Sequence, residues 1–506
     1  MKLFAPEDYI PLILQTLISE FQIDVTYNLT IIGPPVDTNH YRPEIHPAIL
    51  SDGSVVVHPI VQYSGSVTLK NLYISGIAPD NRLSGSSRIL TITGDSAATI
   101  TIDHCILDGS WFRAIYLGGK MNNYHITNNI FQNMVYPTGW FDGQGIGMLN
   151  GNSTDTLQVV NNTFFCVNAY IVFFQDDAYC KYLQFEHNTV FLTAANPMWI
   201  FQAINADIKN NIFYGTMGEG QLPGETAAGY YAEDGQISST IDIDTLLDLA
   251  SQYNLKESDR HINVENNAYF WPQAMTDWWS HWNDSVTTAG AQDTELVTPP
   301  QWINARTSGM FADKTTWPNF NISGNDSVEP GFPTSAMVQV NKLMNYVELS
   351  RTNNLASYNW WFVPQGQDGP FPGTKTPEWS LKYTNTALMH AGTDGKALGD
   401  LNWFPDQITG VQQLHNSIPG KFDLSQNYPN PFNPTTNIKY SIPNSGFVSL
   451  KVYNVLGQEV ATIYQGFQKA GSYKADFDAS RLASGVYLYR LEANTFSQTK
   501  KMVLLK

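Results

Sequence analysis

The chain has 506 residues, 14% of them charged and 13% aromatic, and a formal net charge of −17. That length is more than one ordinary core can use, and an acidic protein is a poor partner for nucleic acid, whose phosphates require a basic face. Few charges, with many Gly, Asn, Ser, Thr and aromatic residues, favour sheet and tight turns, so the expected class is all-β.

The chain opens with MKLFAPEDYIPLILQTLISEF, in which Pro6, Glu7 and Asp8 stand where a secretory signal needs an unbroken apolar stretch. Residues 1–45 are read as an N-terminal cap or first coil belonging to a truncated start. No apolar run reaches the roughly 18 residues that cross a bilayer, so no membrane span is expected.

From residue 67 to 270 a short pattern returns. Its members are LKNLYI from Leu69, IDHCIL from Ile102, ITNNIF from Ile126, VVNNTF from Val159, FEHNTV from Phe185, IKNNIF from Ile208 and VENNAY from Val264. Asn129, Asn162, Asn188, Asn211 and Asn267 hold the fourth position. Units of about 20 to 30 residues, built from short strands and Gly or Asn turns, are what one coil of a parallel β-solenoid needs. The asparagines are read as a structural ladder. Asn tolerates left-handed backbone better than other non-glycine residues, and stacked amides donate and accept along the axis.

The three cysteines, Cys105, Cys166 and Cys180, lack metal-ligand spacing and read as small buried side chains, with a Cys166–Cys180 bridge as the alternative. Between Gly215 and Asp259 the repeat pauses. There STIDIDTLLDLASQYNL shows helical apolar spacing at Ile243, Leu246, Leu247, Leu249 and Ala250. It is assigned to a helical excursion at 215–262 from one coil. The text then turns aromatic in YFWPQAMTDWWSHWND, and a helix is predicted through SAMVQVNKLMNYVEL. The solenoid is placed at 46–330, a C-terminal cap or loop region at 331–405 and a linker at 406–423.

Residues 29 to about 270, with LTIIGP, VTLKNLYISG and the asparagine units, resemble a right-handed parallel β-helix of the pectate lyase-like superfamily. That resemblance implies the architecture and leaves the chemistry open, because the fold hosts lyases, hydrolases, esterases, tailspikes and adhesins. Lyases of this kind hold Ca²⁺ on carboxylates to neutralise a uronate and place Lys or Arg near the abstracted proton. Hydrolases use two or three acids roughly 5 to 10 Å apart.

Aligned on the asparagines, Lys120, then Asn150 and Asn152, then Asp176 and Asp177, then Gln202 and Asn205 fall at comparable corners of neighbouring coils, about 4.8 Å apart. A groove there would use Asp176, Asp177 and Asp142 as acids, with Lys120 or Arg113 as the basic group. Tyr116 and Gln144 would border it, Lys181 or His187 would lie near, and Asn150, Gln175 and Gln202 would hold substrate. A solvent-facing Asp-Asp pair is otherwise simply a turn. Trp278, Trp279 and Trp282 are candidates to stack on sugar rings, core or cap packing being their other use. Ca²⁺ is the metal a lyase would require, without an evident ligand set.

The last segment changes character. SQNYPNPFNPTTNIKYSIP has three prolines within six residues, Pro429, Pro431 and Pro434, which no helix or central strand can run through. From Leu424 to the end, nine Lys or Arg stand against four Asp or Glu, a net of +5, which leaves −22 for residues 1–423. VSLKVYNVLGQEV and GVYLYRLEA alternate as half-buried strands between Gly and Asn turns, the mark of a small, Ig-like β-sandwich. Together with AGSYKADFDASRLASGVYLYRLEA and TKKMVLLK, residues 424–506 resemble the C-terminal sorting domain of proteins exported by the type IX secretion system. The resemblance implies a partner in the outer-membrane secretion machinery and an extracellular or outer-membrane surface location. Three functions then compete: a polysaccharide lyase or hydrolase, a non-catalytic carbohydrate-binding or adhesive protein, and a structural solenoid of the cell envelope.

Overall fold

The computed structural model describes residues 17–18, 23–33, 43–56, 58–78, 88–94, 97–134, 143–149, 151–174, 177–221, 239–246, 254–289, 296–352, 380–404, 412–415, 419–444, 446–468, 470–479, 482–493 and 496–505. The chain divides into two compact units, Met1–Leu388 with Leu398–Trp403, and Met389–Ala397 with Phe404–Lys506.

In the first unit the strands fall, coil after coil, into three parallel sheets. Sheet 1 has ten strands, from Leu17–Ile18 to Asp326–Ser327; sheet 2 has nine, from Ile23–Val25 to Gln301–Ile303; sheet 3 has nine, from Leu29–Ile32 to Phe320–Ser323. The result is a parallel β-helix that already winds before residue 46. Alternation sets which side chains fill it. In sheet 3 the column Ile100, Tyr124, Leu157, Leu183, Ala206, Ile262 follows the strand register and is sealed from solvent.

The asparagines form the corner between sheets 3 and 1. Asn162 Oδ1 accepts the backbone N–H and the side-chain amide of Asn129 at 2.9 and 3.0 Å; Asn188 does the same for Asn162 at 3.0 and 3.1 Å. Asn211 serves Asn188, Asn267 serves Asn211, and Asn325 serves Asn267 in the same way. Each Nδ2 also donates to a main-chain carbonyl of the coil before it, Ile102 for Asn129 and Val159 for Asn188, both at 2.9 Å. The left-handed turn is taken by the residue before each rung: His104, Asn128, Asn161, His187, Asn210 and Asn266 have φ of 52–60°. Turn and ladder are thus divided between adjacent positions, and that division is why Asn-Asn recurs.

Past each rung the chain reads apolar on both faces. Phe131, Phe164 and Phe213 point into the helix, while Phe165, Phe191, Tyr214 and Phe270 stack outward with ring centroids 5.1, 5.2 and 5.9 Å apart. A sheet apolar on both faces has to be covered on both. Phe332 meets Phe191 and Tyr214 edge-on, at 5.3 and 5.1 Å, and helices follow it onto this flank.

Helix α1 spans Gln273–Thr288, α2 spans Ala305–Ala312 and α3 spans Thr334–Arg351. α1 is fixed through Trp279, whose Nε1 donates to Gly218 O at 2.9 Å. α3 comes so close to Gly218 that a β-carbon there would sit 2.9 Å from Leu343. α2, capped by Asn304 on Thr307 N, turns Met310 and Phe311 into the solenoid core. The end of the solenoid is therefore filled before residue 331, and α3, in the stretch expected to act as cap, lies along sheet 1. The expected helix within 239–255 is corrected at its start: Ser239–Asp242 is a strand of sheet 2, Ile243 and Leu246 are buried outside any helix, and 247–253 lie outside the described residues. All three cysteines are free and buried, so the alternative bridge is not formed.

A short strap, Leu398–Trp403, closes over the corner. Gly399 N donates to Asn210 O, Asn402 Nδ2 to Asn161 O, and Trp403 Nε1 to Thr163 Oγ1. Asp400 accepts from Thr163 Oγ1 at 2.7 Å and from Asn402. Burial pushes its carboxyl up to about 7, against the pull of these hydrogen bonds.

Asn188→Ala strips the acceptor from two buried donors of Asn162. At about 1–3 kcal/mol for each group left unpaired, the urea midpoint should fall well below that of the exposed control Asn341→Ala; equal midpoints would refute the ladder's role. For Asp400 the folded value lies above the unfolded one of about 3.9, so the folded chain holds the extra proton. Stability from this group is full below pH 4, falls as pH rises towards 7, and is flat beyond. Asp400→Asn should reduce the slope of Tm against pH across that window, and an unchanged slope would count against it.

Candidate functional site

The corner singled out by coil alignment can be followed where it is described. Lys120 pairs with Ser153 and Ser153 with Tyr179, and Cys180 N donates to Gln202 O, so Lys120, Asn152, Asp177 and Gln202 belong to successive coils at the junction of sheets 2 and 3. Lys120 and Asp177 are exposed and Gln202 is buried. Asp177 lies over the preceding coil, where a β-carbon added to Gly151, at φ +66°, would meet its oxygen at 3.3 Å. Asn152 Nδ2 donates to Tyr116 Oη at 3.2 Å and Asn205 Nδ2 to Lys181 O. Asp142, Asn150, Gln175 and Asp176 lie outside the described residues.

Arg113 is not brought to this corner. It starts the strand Arg113–Leu117, whose far end leads to Lys120. Four residues of strand put it roughly 13 Å away along the chain. Its guanidinium lies buried over the rings of Phe112 and Phe173, at 4.0 and 5.6 Å. Lys181 pairs with Asp155 at 3.2 Å, an exposed pair of little energetic weight. Among the described residues no group of three or more His, Cys, Asp or Glu is placed to hold a metal ion.

A second concavity lies on sheet 1. The three tryptophans of α1 part company because successive helical residues point about 100° apart. Trp279 is buried against the sheet, whereas Trp278 and Trp282, one turn apart, stack at 5.4 Å, with Arg351 of α3 over Trp282 at 5.9 Å. Trp278 then lines an open groove of about 400 Å³ between α1 and α3, with Ala274, Asp277, His281, Asn341, Met344, Asn345 and Glu348. On the opposite side of α1 a smaller hollow of about 260 Å³ has Trp271 and Trp279 in its walls. His281 reads as an isolated histidine in the sequence, and the amides of α3 attract no notice there; only helical spacing applied to DWWSHW would have joined them.

The second unit is a sandwich of two four-stranded antiparallel sheets around Ile438, Tyr440, Leu450, Val452, Tyr489 and Leu491. Its proline-rich entry is held by main-chain bonds such as Tyr428 N to Asn437 O and Phe432 N to Val503 O, and, because proline offers no amide, by side chains as well. Asn427 N donates to Tyr489 Oη and that hydroxyl to Ser425 O, both at 2.8 Å; Asn427 Nδ2 reaches Pro429 O and Thr436 Oγ1; Asn430 Oδ1 accepts Val503 N.

A β-solenoid followed by a small antiparallel sandwich defines the class. Within it, residues 426–505 match the family described as the secretion system C-terminal sorting domain, so the chain ends in an export signal. No curated protein matches the chain. Among solved structures, an endo-beta-1,4-mannanase from Thermotoga petrophila aligns at 12% identity over 51% of this chain and 40% of its own length, with a TM-score of 0.12, and carries no argument. The chain thus spans about two fifths of that protein. No helix among the described residues is long and apolar enough to cross a membrane.

Tyr489→Phe removes the acceptor of Asn427 N and the donor to Ser425 O, a loss of about 1–3 kcal/mol. At roughly 4–8 °C per kcal/mol for a domain of this size, the thermal transition of the C-terminal unit should fall by about 5 °C or more, and a midpoint that does not move would refute this account of the proline segment.

Proposed function

We propose that the protein is exported by the type IX secretion system to the cell surface or the surrounding medium, where its β-helix engages polysaccharide. The observation that carries this reading is a sorting domain joined to a stack of coils whose corner groups, Lys120, Asn152 and Asp177, follow one another coil by coil. A coil spacing of about 4.8 Å is close to the length of one sugar residue, so a glycan chain laid along the stack meets an equivalent corner at each step. Binding is the first role. Lyase or hydrolase chemistry is the second, favoured by an exposed lysine and carboxylate at the same corner; a lyase would add Ca²⁺ to neutralise the carboxylate of a uronate.

The test is incubation of the full chain with pectin, alginate, glycosaminoglycan and β-glucan, with and without Ca²⁺. Retention in glycan-containing native gels is expected. Ultraviolet-absorbing unsaturated ends would add a lyase activity, new reducing ends alone a hydrolase. Neither retention nor product on any glycan would overturn the reading in favour of a structural solenoid.

A further inference from the structure

Neighbouring helices normally meet through apolar stripes spaced i, i+3, i+4 and i+7. α1 and α3 bury such residues, Met275 and Trp279 on one and Val340, Leu343 and Val347 on the other. Yet at the same periodicity each also turns a polar stripe to the groove between them. Asp277, Trp278 and His281 line it from α1, and Asn341, Asn345 and Glu348 from α3. The side chains of Asn341, Asn345 and Glu348 are exposed and make no hydrogen bond to another described residue; Asp277 has one oxygen on Gln273 Nε2 at 2.7 Å. Trp282 braces one face of Trp278, which fixes the ring at the groove wall.

One held aromatic ring with carboxylates and amides around an open cleft is the set of groups that takes a sugar. The ring receives the C–H face of a pyranose, and the amides and carboxylates receive its hydroxyls. Charge selects the class. Among the described residues no Lys or Arg lines the groove and each wall carries a carboxylate, so a uronate or sulfated sugar would be set against like charge.

We propose that the groove between α1 and α3 binds a neutral pyranose unit of a polysaccharide, with Trp278 under the ring and Asp277, Asn341, Asn345 and Glu348 on its hydroxyls. This rests on the reading that the ligand is a glycan, and it adds a site apart from the solenoid corner and the class of sugar.

The experiment is native affinity electrophoresis of the full chain in gels containing mixed-linkage β-glucan, xyloglucan or polygalacturonate. Retardation by a neutral polymer is expected, insensitive to salt and weakened about tenfold or more by Trp278→Ala. Trp278→Phe should recover part of it, and Glu348→Ala, an exposed change, should weaken binding with the thermal midpoint unchanged. Neutral-glycan binding that survives Trp278→Ala and Glu348→Ala overturns the site. Retardation by polygalacturonate alone overturns the class of sugar while the glycan reading stands; retardation by none of the three overturns this site, and the glycan reading falls with it only if alginate and glycosaminoglycan are not retained either.

Discussion

From Asn129 onward the body depends on one carboxamide per coil finding the same carboxamide on the next. A parallel stack has no hairpins to fix its register, and its buried corners would strand main-chain donors where the strands turn. The asparagine at each corner resolves both difficulties, because its oxygen takes the turn's N–H and its nitrogen closes the bond to a carbonyl of the coil before. The ladder runs unbroken from Asn129 to Asn325. Given that column, the strands have one way to line up, and columns of Ile, Leu, Val and Phe follow inside.

The architecture was legible because its cause is local and repeated. Asn-Asn or His-Asn before a short strand marks a left-handed turn, a rung and a strand within five residues, and five occurrences in seven aligned units leave little freedom. Asn325 was missed for a local reason: Gly324 takes the left-handed turn where earlier units have Asn or His, and the exposed Asp326 and Ser327 follow it where those units have buried strand residues. The helix assigned within 239–255 shows the opposite error. Ile241 and Ile243 read equally well as alternate residues of a buried strand, and pairing with Met198 and Ile303 decided for the strand.

The sites were less legible, because a site depends on which elements become neighbours. Coil alignment was enough to order Lys120, Asn152, Asp177 and Gln202, which belong to successive coils within two residues of a common register. It was not enough for Arg113, which stands at the start of its strand, the end away from the corner. The tryptophan run was treated as one feature, whereas helical geometry gave Trp279 to the core and Trp278 to solvent. The partner wall, from Asn341 to Glu348, lies some sixty residues further on, on a helix drawn to the same flank by the outward ring stack of sheet 1.

The spacing of the rungs has an architectural corollary. Asn211 bonds Asn267 as closely as Asn162 bonds Asn188, although 56 residues separate the first pair and 26 the second. A coil secured at one corner places almost no limit on what leaves and re-enters elsewhere along it. The stack therefore works as a rack on which whole surface modules can be mounted or exchanged between rungs, and α1, inserted between Asn267 and Asn325, is one such mounting.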